Sequence, residues 1–318
     1  MSKARNLSLL STVEAGATTD QTKADLNAIG VSGGRKNIII NGGMQVNQRG
    51  VTSGLTSGYF VDRFTLSGCS TSSLLTSSLP TEFTKGISLT ATGGNPIVFQ
   101  KVESASCQHL SGQTVTVSFY AKNISNATTL YVKLQYAGSA DSWGTSTTIS
   151  EQNLGALSSS WVKHTASWTI PAGGLNGLSL GILCAGTGTF EMGVTGVQLE
   201  LGSVATDFEH RSYGEELALC QRYFENVTFG NTAASRWVQS DFTGGVSFAV
   251  TKRAIPTMTY SGSVRIWGDG TNSTSSSLAN WDLSTTSFGL RTMAAAHTSS
   301  ESVFVSQYQA IIKADAEL

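Results

Sequence analysis

The sequence predicts a mainly β chain: an antiparallel jelly-roll sandwich, a smaller C-terminal β domain, and two short helices, one N-terminal and one linking. Three observations carry that expectation. Short segments alternate apolar and polar side chains with a period of two, the pattern of strands with one face buried and one wet. Turn residues separate them, as in Gly93-Gly-Asn-Pro96, Gly138-Ser-Ala-Asp141 and Pro171-Ala-Gly-Gly174. No fixed period recurs along the 318 residues, which argues against a propeller or solenoid.

Residues 1–35 form a separate piece. Thr19 or Asp20 can cap a short helix that stops at Gly30, with Leu26 and Ile29 on one face. So short a helix is not stable alone in water, so it is expected to dock on its own copies or on a larger assembly. Strands begin at Asn37-Ile-Ile-Ile40, and the alternation is strict in Thr114–Tyr120, where Val115, Val117 and Phe119 share a face. Tyr131–Tyr136, Trp161–Ile170 and Leu178–Leu183 continue the series. The last strand of the sandwich runs through Val197, Leu199 and Leu201, which complete the core. Phe208 then plugs the edge as the chain leaves. Ser212-Tyr-Gly-Glu215 is a capping box that opens a helix through Phe224. Leu217, Cys220 and Phe224 line its apolar face and, with Leu26 and Ile29, are the candidate oligomerisation residues. The expected organisation is a 1–35 attachment segment, a 36–211 sandwich, a 212–224 linking helix and a 225–318 β head.

Composition bounds the function. Charged residues make up 13% of the chain, against roughly 25% in ordinary soluble domains, and Ser, Thr, Gly and Asn replace them. A polar, weakly charged surface suits an extracellular or virion protein. The net charge is −1 and no basic run occurs, which argues against a nucleic-acid partner. Leu7-Ser-Leu-Leu10 is too short for a signal h-region, so synthesis in the cytosol without classical export is expected. No apolar run approaches the ~18 residues of a membrane-spanning helix. Cys69, Cys107, Cys184 and Cys220 lack metal or redox spacing and read as buried, reduced thiols. Asp269-Gly-Thr-Asn272 lacks the ligand count of a calcium loop, and neither metal nor cofactor is expected.

Several of these stretches together resemble a known family. Asn37-Ile-Ile-Ile-Asn-Gly-Gly-Met-Gln-Val-Asn-Gln-Arg-Gly50 followed by Tyr59-Phe-Val-Asp-Arg-Phe64 resembles the start of the carbohydrate-binding-like jelly roll of bacteriophage tail-fibre proteins. Phe99–Glu103, Leu110–Lys122 and Trp161–Pro171 follow in the order of that module, and Val197–Glu209 is its most specific signature. Tyr213–Phe224 is similar to the helix that follows in such fibres. The match spans residues 36–224, while 225–318 resemble only a variable head. The resemblance implies a homotrimer in the virion tail. Its N-terminus would meet the tail or an adaptor protein, and its far end a host surface polysaccharide or lipopolysaccharide.

A binding or structural protein, not an enzyme, is therefore expected. No G-x-S-x-G, H-E-x-x-H or P-loop motif is present, and His109, His164, His210 and His297 are scattered. Glu200 with Glu209, or Asp241 with Asp269, are the carboxylate pairs a hydrolase reading could nominate. Sugars are read by aromatic rings and by amide or carboxylate hydrogen bonds. Trp161 and Trp168 lie in a patterned strand and read as core, whereas Trp143 sits in a loop-like Asp141-Ser-Trp-Gly. Trp267, Asp269 and Asn272, together with Trp281 and Asp282, combine an aromatic with polar partners beside turns. With Trp143 they are the candidate receptor-binding residues. The alternative to a receptor-binding fibre is a purely structural fibre component without a receptor.

Overall fold

The computed structural model describes residues 35–228, 232–238, 241–268, 271–293, 303–307 and 310–318. The expected N-terminal helix, with Leu26 and Ile29, lies outside them.

The first unit is an antiparallel sandwich, as the alternation predicts. Its strands are β1 (Gly58–Val61), β2 (Phe64–Ser67), β3 (Thr71–Leu75), β4 (Gly86–Thr92), β5 (Ile97–Val102), β6 (Thr114–Ser139), β7 (Ser142–Ala156), β8 (Val162–Thr169) and β9 (Leu178–Leu201). A four-residue helix α1 (Ser104–Cys107) follows β5. β6 and β9 are long because each serves both layers. The start of β6 pairs with β8 and with the end of β9, and β4 and β3 extend that sheet. The end of β6 pairs with β7 and with the start of β9, and β5, β2 and β1 extend the other. Both strands bend where the β6–β9 register is broken, near Asn126 (φ 49°). Between the layers lie Ile87, Leu89, Val117, Phe119, Trp168, Leu180, Phe190 and Met192, all buried in one cluster. Each such side chain contributes roughly 1.5–3 kcal/mol. Val197 and Leu199 are buried there as expected, while Leu201 is exposed at the rim.

Helix α2 (Tyr213–Gln221) follows, capped by the Ser212 side chain, which accepts from the Glu215 N–H at 3.3 Å. It is shorter than the sequence suggests. Phe224 is not on its face but opens β10 (Phe224–Val227), which pairs antiparallel with β19 (Ile311–Asp315). β19 also pairs with β13 (Thr257–Ser261), giving a three-stranded sheet. A seven-stranded sheet contains β11 (Thr232–Val238), β12 (Asp241–Ser247), β14 (Val264–Gly268), β15 (Thr271–Ser275), β16 (Leu278–Trp281), β17 (Ser287–Met293) and β18 (Val303–Gln307). Its order is β15-β14-β18-β11-β12-β17-β16. A second core forms here from Val227, Val246, Phe248, Val264, Phe288, Leu290 and Ile312.

All four cysteines are free and buried, as the sequence indicates. Burial pushes the Cys69 thiol up to about 11 and those of Cys107 and Cys184 up to about 12, so they stay protonated.

Candidate functional site

The outer face of the sandwich offers a tryptophan platform. Register sets Ser73, Ser88, Gly193 and Lys122 in a row across β3, β4, β9 and β6, with the side chains of Ser73, Ser88 and Lys122 away from the core. Trp161, just before β8, reaches across β6 onto Gly193, where a Cβ would lie 2.9 Å from the indole edge. Leu75 and Ile124 flank the same glycine, and Ile124 is exposed. The indole N–H donates to the Ser78 carbonyl at 2.6 Å, and the Lys122 ammonium stands 5.2 Å from the ring centroid. The ring is thus half-buried and fixed, with lysine close by and half-buried Glu191 two residues from Gly193 on the same face. Trp161 therefore corrects the core assignment, whereas Trp168 does fill the core at 4% exposure. The parity was available in the sequence. The two tryptophans are an odd number of residues apart, and a period-two strand sends such positions to opposite faces.

A second platform lies in the other unit. Trp281 on β16 stands opposite Gly289 on β17, and a side chain at Gly289 would collide with the indole. The ring covers the glycine yet stays 43% exposed. Asp282 beside it is exposed, and Asn280 is held by the Tyr260 hydroxyl, which donates to its Oδ1 at 3.0 Å.

The remaining predicted residues do not join this site. Trp267 and Asn272 are opposite one another in the β14–β15 ladder, at the far edge of the seven-stranded sheet from β16. Asp269 lies outside the described residues. Trp143 is the second residue of β7 in the sandwich, is half-buried, and has the Lys101 ammonium 5.3 Å from its ring. Its indole N–H is buried without a hydrogen-bond partner. Among the oligomerisation candidates, Cys220 and Phe224 are buried within the chain at 0% and 2% exposure, so neither has surface to offer a second copy. Leu217 is half-buried on α2.

The nominated carboxylates serve the fold. Glu200 accepts from the Thr206 N–H at 2.8 Å and from Gln198 Nε2 at 2.9 Å. Glu209 accepts from the Asn37 N–H at 2.7 Å. Asp241 opens β12, and its would-be partner Asp269 is outside the described residues. Among the described residues no cluster of His, Cys, Asp or Glu could hold a metal ion.

No protein-family model and no curated protein matches the chain. Solved structures do. The enzymatically active domain of tailspike protein 4 from bacteriophage CBA120 is similar at 14% identity and a TM-score of 0.36, over 52% of this chain and 21% of that one. This chain thus spans about a fifth of that tailspike domain. The C-terminal family 22 carbohydrate-binding module of Clostridium thermocellum Xyn10B is similar at 17% identity and a TM-score of 0.34, over 47% and 98% of the two chains. The CBM22-1 xylan-binding domain of Paenibacillus barcinonensis Xyn10C is similar at 11% identity and a TM-score of 0.35, over 54% and 99%.

What the two platforms can do follows from their chemistry. An indole seated on a glycine offers a flat apolar face to the C–H side of a pyranose. Lys122 and Glu191 at one platform, and Asp282 at the other, can bond its hydroxyls. Both rings are fixed by packing, so little side-chain freedom is lost on binding.

Proposed function

We propose that this chain is a bacteriophage tail-fibre protein that attaches the virion to a host cell-surface glycan. It acts as a homotrimer, bound through residues 1–35 to the tail or an adaptor protein. The observation that carries the binding part of this reading is the pair of pre-positioned indoles, Trp281 over Gly289 and Trp161 over Gly193. The tail-fibre part rests on the sequence resemblance of residues 36–224.

One such site, with a Kd near 1 mM, would supply only about 4 kcal/mol. Three copies per fibre would raise effective affinity by a factor on the order of 100–10,000 through multivalency. Attachment is then strong only while the copies stay together.

Adsorption of the labelled protein to susceptible cells and to their purified surface polysaccharide tests this reading. Trp281→Ala is expected to weaken adsorption at least tenfold, and Trp281→Ala with Trp161→Ala to abolish it. Wild-type adsorption by the double variant would refute the site. No adsorption of wild type at high micromolar concentration would leave the purely structural fibre component as the better reading. Light scattering that reports a monomer would refute the multivalent part.

A further inference from the structure

The stretch that opens the family resemblance, Asn37–Gly50 with Tyr59–Phe64, holds neither of the two tryptophan platforms. It contacts the second unit, the part of the chain from α2 through β19 and the residues after it. Arg63 is 1% exposed; its guanidinium lies 3.4 Å from the Tyr223 ring centroid, donates to the Lys101 carbonyl at 2.6 Å and forms an ion pair with buried Glu317. Arg49 lies 3.7 Å over the Phe224 ring and pairs with Asp315 at 3.1 Å and Glu317 at 3.3 Å. The Asn41 N–H donates to Glu216 at 2.5 Å, and Gln48 Nε2 donates to the Phe224 carbonyl at 2.8 Å. Asn226 Nδ2 returns a bond to the Gln48 carbonyl. From β5 and the residue after it, the Lys101 ammonium donates to the Leu318 carbonyl at 2.8 Å and Glu103 accepts from Arg222 at 3.0 Å.

Two features make this more than a contact between neighbours. Charged residues are scarce in the chain, at 13%, yet Arg49, Arg63, Lys101, Glu103, Arg222, Asp315 and Glu317 gather at this one seam. Arg49 also reads a folded feature. Phe224 and Asp315 are register partners in the β10–β19 ladder, so its guanidinium meets both only when that ladder has formed.

We infer that residues 37–63 are a docking socket for the folded second unit. The ligand it takes is a paired β-ladder, with an aromatic on one strand and carboxylates at and just beyond the end of the other. The second unit is held by this socket and not by the covalent link through residues 202–211. The inference is independent of any glycan.

A protease site inserted between Arg211 and exposed Ser212 allows the link to be cut in the folded full chain, with residues 206–211 left on the sandwich they bond. The two pieces of the nicked wild type are expected to co-elute in gel filtration. With Arg49→Gln or Glu317→Gln their apparent Kd should rise by at least about a hundredfold, so that they separate. Separation of the nicked wild type, or co-elution of both charge variants, would overturn the inference. Hydrogen exchange on the uncut chain gives a second readout. Arg49→Gln should speed exchange in β10 and β19 while leaving β6 and β9 unchanged, and unchanged exchange in β10 and β19 would also overturn it.

Discussion

His164 shows what one side chain contributes to the pH response of the sandwich. It stands opposite Phe119 in the β6–β8 ladder with ring centroids 5.9 Å apart, and its Nε2 is buried without a partner. Burial lowers its proton affinity below the ordinary value of 6.5. The unfolded chain keeps the ordinary value, so between the two it binds more protons than the folded chain. The stability His164 contributes is therefore complete above about pH 6.5 and is lost as pH falls through the lower, folded value. His164→Phe keeps the stacking and cannot titrate. The melting temperature of wild type relative to this variant should be constant above pH 7 and fall steadily toward pH 5. A difference that stays flat across that range would show that the imidazole is not held neutral.

At the scale of the element, α2 is instructive because its buried face is not apolar. Glu216 and Cys220 face inward, and the Glu216 carboxylate accepts from the Asn41 N–H and from Arg211 at 3.2 Å. Ser212→Ala removes the cap of this helix and should cost about 1 kcal/mol. The expected signs are a lower urea midpoint and faster exchange of the Glu215 amide, and an unchanged midpoint would mean that the Arg35–Glu215 ion pair fixes the first turn without the cap. The same helix shows where sequence reading stops. The strands were legible because a half-buried sheet alternates locally, and the capping box because its partners are three residues apart. The burial of Glu216 was not legible, since its partner Asn41 is 175 residues away. Phe224 was misplaced on the helix for the same reason: it leaves the helix to pair with β19, from the far end of the chain. Trp281 beside Asp282 was legible as a ring next to a turn. Trp161 was missed because two tryptophans in one patterned strand suggest one core, although their odd spacing separates them.

For the whole molecule, the seam determines whether two cores behave as one. Ion pairs out of water contribute little net stability, because desolvation offsets the attraction, yet removing a single partner costs roughly 3–5 kcal/mol by leaving a buried charge. Arg63 and Glu317, exposed by only 1% and 4%, meet that condition. Glu317→Leu alone should thus weaken the seam more than the pair it breaks would suggest. It should also split thermal unfolding into two calorimetric transitions, one for each core. Arg63→Met alone should act likewise, with an added loss from the Tyr223 ring it covers. The double variant leaves no unpaired charge between these two positions, so its cost should fall well short of the sum of the single costs. A single transition in both single variants would mean that the cores are coupled through other contacts. Strict additivity would mean that Arg63 and Glu317 act independently, with Arg49 and Tyr223 as their separate partners.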